Sequence, residues 1–279
     1  MPGLLPTVSV IMNCLNGESY LREAIDSVVN QTYSDWEIVF WDNASRDASG
    51  TIAKSYGGRV RYYRGETTVP LGQARNLAIA EARGRYLAIL DCDDVWMPEK
   101  LERQVALLER DQSVGLVFSD CYFMDVKGTL QGTFFNRVPP SSGDAHLALL
   151  TGPNFVPGPT VVMRADAVRK VGGFNPVFRY VESYELLVRL SRAHRAAHLD
   201  EPLARYRLHG ANQAGTGHAG MTRELMQVIR KSAPQSGAPV RWAIWKRLLL
   251  LRCKLILQEA RHGGFFGAVK ALGPFGANA

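Results

Sequence analysis

Tyr86-Leu87-Ala88-Ile89-Leu90-Asp91-Cys92-Asp93-Asp94-Val95-Trp96 is the stretch on which the reading of this chain turns. Its first five residues are apolar without alternation, the pattern of a strand covered on both faces, as in a parallel α/β sheet. The run ends abruptly in Asp91, Asp93 and Asp94. The carboxyl end of such a strand is where open α/β sheets bind ligands. Carboxylates packed there repel one another unless a cation joins them. Mg²⁺ and Mn²⁺ take hard oxygen ligands, typically one or two carboxylates together with substrate phosphates. The alternative is a strand-end turn with an Asp helix cap. Three acids within four residues favour a metal-bound nucleotide diphosphate, with one of the three left as a cap.

Working outward, the same α/β rhythm continues on both sides. Val8–Met12 reads as a first buried strand, and Leu21, Ile25, Val28 and Val29 give helical spacing over Glu18–Asn30. Trp36–Trp41 is a second strand ending at Asp42, Asp47–Tyr56 a helix and Val60–Tyr63 a third strand. Leu71–Ala82 is an alanine-rich helix stopped near Gly84, and Pro98 opens a helix to Arg110 before a strand at Val114–Ser119. This β-α-β order predicts a doubly wound, mostly parallel sheet. Later signals are sparser: a possible added strand at Thr160–Arg164, an amphipathic helix over Glu182–Arg195, and an edge strand at Leu203–Leu208. A Gly-rich mobile loop is expected at His209–Gly220, then a basic apolar helix over Val240–Ala260.

Composition bounds the class. The chain has 279 residues, 46% hydrophobic and 21% charged, with a net charge of +7. That suits one large globular unit with a sizeable core. The basic balance favours phosphorylated ligands or anionic surfaces, and nucleic-acid binding would rest on charge alone. Cys14, Cys92, Cys121 and Cys253 form no Cys-x-x-Cys pair, which speaks against zinc and redox motifs and fits a reducing compartment. Met1–Pro6 is too short for a signal peptide, and no uncharged run approaches the ~20 residues of a membrane span. The expectation is a cytoplasmic protein.

Other polar groups fall at the same sheet edge. Asp42, Asn43 and Ser45 follow the second strand and can accept from a base or ribose; alone they are an ordinary turn. Gly72 and Arg75 open a helix after Pro70, where a helix N-terminus and an Arg can hold phosphate, or simply start a helix. Arg205, Arg207 and His209 alternate, so one strand face can meet a diphosphate; an Arg-rich edge strand is the plainer reading. Glu182, Glu185 and Arg189 share a helical face. Glu185 pairs most simply with Arg189, which leaves Glu182 to face a cleft as a base.

Taken together, these segments resemble the inverting family 2 glycosyltransferases of the GT-A fold. The likeness runs through Val8-Ser9-Val10-Ile11-Met12-Asn13-Cys14-Leu15-Asn16-Gly17, Leu21–Val28, Gln31-Thr32-Tyr33, Asp42–Asp47, Gly72–Asn76, Leu90–Asp94, Gly172–Asn175 and the helix from Glu182. It covers roughly residues 6–210. It implies a Rossmann-like GT-A domain over 1–215, with a nucleotide-sugar half to about 120 and an acceptor half to about 215, and a helical extension over 216–279. It further implies a nucleotide-sugar donor, usually UDP-linked, held by Asn13, Asn16, Asp42, Asn43, Ser45, Gly72, Arg75, Asp91, Cys92, Arg207 and His209. Asp93, with Asp91, is the implied ligand of Mn²⁺ or Mg²⁺. A carboxylate would deprotonate an acceptor hydroxyl on a glycan or lipid-linked substrate for a single inverting displacement.

One departure matters. The family commonly has Glu-Asp at the start of the late helix, where this chain has Glu182-Ser183. Serine has no useful basicity near neutral pH. The base then falls to Glu182 or to Glu185, or the chain is an impaired nucleotide-sugar binder. A nucleotidyltransferase lacks support from a glycine-rich phosphate loop, and a dehydrogenase lacks Gly-x-Gly-x-x-Gly after the first strand. The basic helix at 240–260, with Trp242 and Trp245 among leucines, either lies on an anionic membrane at the inner face or packs on the domain with its cations snorkelling.

Overall fold

The computed structural model describes residues 5–141, 144–210, 219–234 and 237–271. The expected first half forms nearly as read. Strands β1 (Val8–Cys14), β2 (Trp36–Asp42), β3 (Val60–Arg64) and β4 (Tyr86–Asp91) alternate with helices α1 (Glu18–Val29), α2 (Ser49–Lys54) and α3 (Leu71–Glu81). All three strand pairings in this half are parallel, in the order β3-β2-β1-β4. β1 is buried along its whole length, which is why its apolar run does not alternate. Close approach is enforced at Gly84: a β-carbon there would lie 2.5 Å from the Ser9 amide nitrogen, so β4 can begin against β1 only with glycine.

The second half departs from a parallel sheet. After β5 (Val95–Trp96) and α4 (Lys100–Arg110), β6 runs over Val114–Met124, five residues further than its apolar start suggests. β7 (Leu130–Thr133) pairs with it. Helix α5 (Ala145–Thr151) precedes β8 (Val162–Arg164), which inserts antiparallel between β4 and β6. Helices α6 (Ala165–Lys170) and α7 (Glu182–Ala193) follow. β9 (Arg195–Arg207) is parallel to β6 and antiparallel to β5. The full order is β3-β2-β1-β4-β8-β6-β9-β5. The expected edge strand at Leu203–Leu208 is therefore the end of a 13-residue strand lying inside the sheet, between β6 and β5. Its polar start, through His198, Asp200 and Glu201, hides it from a reading by apolar pattern.

Helices α8 (Ala219–Ser232) and α9 (Ala238–Ala271) complete the described chain. Val228 and Ile229 of α8 and Ile244 of α9 share one apolar core with Leu186, Leu187 and Leu190 of α7. A second core lies under α1 and α4 on the other sheet face. Most of the expected Gly-rich loop at 209–220 lies outside the described residues. Among the described residues, no helix is long and apolar enough to cross a membrane.

Candidate active site

The register of the parallel half builds the site. Cys14 pairs with Asp42 across β1 and β2, and Asn13 pairs with Asp91 across β1 and β4. The three strand ends thus stop at one level and open into a cleft of about 1340 Å³. Its floor includes Asn13, Asp91, Cys92 and Asp93; the 68–71 segment and Asn43 form one wall; Asn154, Glu182 and Ser183, with Tyr206 and His209, close the other side. Both side-chain polar atoms of Asn13 are buried without a partner among the described residues, which suits a wall residue that can meet a ligand.

The acidic segment divides its labour. Asp91 and Asp93 line the cleft. Burial, and the charge of Asp91 beside it, push the Asp93 carboxyl up despite His209, whose Nε2 lies 2.7 Å from Asp93 Oδ2. Asp94 turns inward: it is buried, its Oδ1 accepts from the Arg207 amide at 2.9 Å, and burial pushes its carboxyl well up. It is the structural member of the trio. Cys92 also faces the cleft, with its thiol against that of Cys14. A β-carbon on Gly17 would lie 2.7 Å from Cys92 Sγ and 2.8 Å from Cys14 Sγ, which fixes glycine there.

Arg75 is the centre of the site. It is buried, and it donates from Nη2 to Asp91 Oδ1 at 2.7 Å and from Nη1 to Glu182 Oε1 at 3.0 Å and Ser183 Oγ at 2.9 Å. One guanidinium therefore joins the end of β4 to the start of α7. Glu182, expected to be free, is ion-paired through one oxygen; its Oε2 is buried and has no partner among the described residues. Burial raises its carboxyl, with Arg75 opposing. Ser183 lines both the cleft and a side chamber of about 90 Å³ walled by Met163, Phe174 and Leu187.

Several sequence expectations are corrected by these contacts. Glu185 does not reach the cleft: its carboxylate holds Arg189, with Nε to Oε1 at 2.8 Å, and Arg189 also donates to the Gly173 carbonyl at 2.7 Å. It pins the 171–173 turn and is no candidate base. Arg207 does not face the cleft either. It is 2% exposed, lies 4.4 Å from the Tyr20 ring centroid, pairs with Glu23, and donates to the Asp93 carbonyl at 2.9 Å. It clamps the acidic loop from behind. Gly72 packs against Glu182, where a β-carbon would meet Cγ at 3.4 Å, and so serves helix approach.

Asp42, Asn16 and Ser45 form a brace beneath the wall. Asp42 accepts from Tyr62 and Arg64 at 2.6 Å each and from the Ser45 amide at 2.7 Å. Burial would raise its carboxyl, but these hydrogen bonds outweigh it and hold the group below the usual range. Asn16 Oδ1 accepts from the Arg46 amide at 2.8 Å, and Ser45 Oγ from the Asn16 amide at 3.0 Å. Asn43 reaches the cleft and fixes its wall, donating to the Val69 carbonyl at 2.8 Å. Sequence reading missed Asn154, Tyr206 and Met221 as lining residues. They carry no local motif and meet the cleft only through tertiary folding.

Among the described residues, no cluster of three or more His, Cys, Asp and Glu is placed to hold a metal. Two cleft-facing carboxylates, Asp91 and Asp93, are present, and that donor set fits Mg²⁺ or Mn²⁺ when substrate oxygens complete the shell.

The sheet and its helices form a GT-A fold, which two solved structures share. S. aureus TarS 1–349, solved in complex with UDP-GlcNAc, superposes with a TM-score of 0.67 at 18% identity over 93% of this chain and 73% of that one. A mannosyltransferase from Pyrobaculum calidifontis, solved with GDP-Man and Mn²⁺, gives 0.65 at 19% identity over 97% and 75%. The chain belongs to glycosyl transferase family 2, whose model matches residues 9–172. An uncharacterized glycosyltransferase of Rickettsia typhi is 30% identical over 215 residues, 76% of this chain and 67% of that protein.

Proposed function

We propose that this glycosyltransferase moves a sugar, with inversion, from a nucleoside-diphosphate donor to an acceptor hydroxyl in glycan or polysaccharide assembly. A UDP-sugar is the first choice of donor. The observation that carries the reading is one cleft holding both a strand-end carboxylate pair and an Arg75-held glutamate whose second oxygen has no partner among the described residues. UDP-GlcNAc in TarS and GDP-Man in the Pyrobaculum enzyme support a nucleotide sugar as donor class.

Asn13 and Asn43 meet the nucleotide from the strand ends, and Asp91 and Asp93 would hold a divalent ion, Mg²⁺ or Mn²⁺, which would supply positive charge against the leaving diphosphate. Glu182 Oε2 takes the proton from the acceptor hydroxyl as its oxygen attacks the anomeric carbon. The bond from that carbon to the diphosphate oxygen breaks, and the electron pair leaves with the diphosphate. Arg75 keeps Glu182 ionised and aimed, and holds Asp91 in register with it. Ser183 donates to Glu182 Oε1 at 3.2 Å and steadies the base without replacing it.

Calorimetry tests this directly. UDP and GDP are titrated with and without Mn²⁺ into the wild type and Asp93→Ala. Metal-dependent binding of one nucleotide, lost in the variant, is expected. No nucleotide binding under any condition would overturn the assignment. Binding without turnover on any nucleotide sugar would instead make the chain a nucleotide-sugar binder.

A further inference from the structure

Helix α9 has two apolar faces, and among the described residues only one is covered. Ile244, Leu248, Leu251 and Leu255, spaced i, i+4, i+7 and i+11, pack on the domain. Arg247 on the flank of that face donates to Tyr184 Oη at 3.2 Å and to the Leu149 carbonyl. At about 100° per residue, the opposite side carries Trp242, Trp245, Leu249, Leu250 and Leu257. Trp242 is 61% exposed, Leu250 62% and Leu257 63%, and together they form one contiguous apolar stripe rather than scattered side chains. An exposed apolar stripe of this kind marks a contact surface.

The charge pattern names the occupant. From Ala238 to Gln258 the helix has five basic residues and no acidic one. Arg241 and Lys254 flank the stripe on either side, and Lys246 sits within it, its ammonium 5.5 Å from the Trp242 ring centroid. A second copy of the chain would bring like charges together across a two-fold interface. A polar, neutral surface would leave them unused. We infer that α9 lies in the plane of an anionic phospholipid membrane, with Trp242, Trp245 and Leu250 entering the headgroup boundary and its lysines meeting lipid phosphates. Tryptophan suits that depth, since its ring is apolar and its N–H stays wet. Tyr184, which Arg247 holds, directly follows Ser183 of the cleft, so the docked face stands one helical layer from the site. This inference is independent of the nucleotide and base assignments.

The test is flotation of the full chain with vesicles of phosphatidylcholine alone and of equal parts phosphatidylcholine and phosphatidylglycerol. Three proteins are compared: wild type, Trp242→Ser/Trp245→Ser/Leu250→Ser, and Lys246→Glu/Lys254→Glu. Circular dichroism confirms folding, and sedimentation velocity reports the oligomeric state. Wild type is expected to float with the anionic vesicles only, less so as salt rises. Its tryptophan emission should shift to the blue. The serine variant should not float, and the charge variant should bind more weakly by on the order of tenfold or more. Failure of wild type to bind anionic vesicles overturns the inference. So does flotation indifferent to both variants, or a wild-type dimer that the serine variant abolishes.

Discussion

Arg75 is a buried cation between two carboxylates, and each neighbour depends on it. Removing one partner of such a group leaves buried charge uncompensated, at a cost of about 3–5 kcal/mol. Arg75→Met is therefore expected to lower stability by that order in urea unfolding. The loss should be smaller at acid pH, where Glu182 can take a proton. Glu182→Gln keeps the shape and one hydrogen bond but removes the base. Nucleotide binding should survive while transfer falls by a factor of about 10² or more. If transfer persists in that variant, another group is the base. The wild-type pH profile follows from the raised Glu182 carboxyl. A base is lost as it protonates, so kcat/KM should fall on the acid side with a midpoint above the ordinary glutamate value of 4.5. Glu182→Gln should flatten that limb. The acidic pair of the site was legible in the sequence, because three acids crowd within four residues of a buried strand's end. The tie between Arg75 and Glu182 was not: they are 107 residues apart, and no periodicity reports a contact between helices.

At the scale of elements, local chemistry foretold the parallel half and missed much of the rest. β1, β2 and β4 are continuous apolar runs because both faces are covered, and such runs stand out in a sequence. β8 is the added strand expected at Thr160–Arg164, though its antiparallel place between β4 and β6 left no mark in the sequence, and β5, with two residues, is too short for any pattern. β9 begins in polar sequence and owes its place to pairing with β6. The loop after β2 has a similar non-local logic. Asp42 reads as a ligand of the nucleotide base, yet its oxygens are taken by Tyr62, Arg64 and the Ser45 amide. The carboxyl lies below its ordinary 3.8 in the fold, so its stabilisation is present above that value and disappears as pH falls through the lower native one. Asp42→Asn should cost about 1–3 kcal/mol at neutral pH and less in acid, measured as the denaturation midpoint against pH. A cost that did not change with pH would mean that the carboxylate's charge is not what braces the loop. Gly84→Ala is the sharper test of strand packing, since the added methyl meets main-chain atoms of β1. It should abolish soluble folding or lower stability by several kcal/mol.

Across the whole molecule, the cleft joins two differently threaded parts of the sheet. Asn13, Asn43 and Asp91 come from the parallel half, while Glu182, Tyr206 and His209 come from the half threaded around β6 and β9. Around the cleft, side-chain ties between the two sides include Arg75 to Glu182, His209 to Asp93, and Arg207 to the acidic loop. A donor in the cleft adds contacts from both sides, and it adds them only to the folded state. Ligand at 100 times its dissociation constant should then stabilise by about 2.7 kcal/mol. For a chain of this size that is an upward Tm shift of roughly 5 °C. The shift should need both nucleotide and Mn²⁺, because the charges of Asp91, Asp93 and the diphosphate repel without a cation. It should remain in Glu182→Gln, which leaves the donor contacts in place, and disappear in Asp93→Ala. Differential scanning calorimetry over a nucleotide series reads this directly. A shift that survives Asp93→Ala at full size would move the donor away from the acidic pair and with it the proposed path of the leaving group.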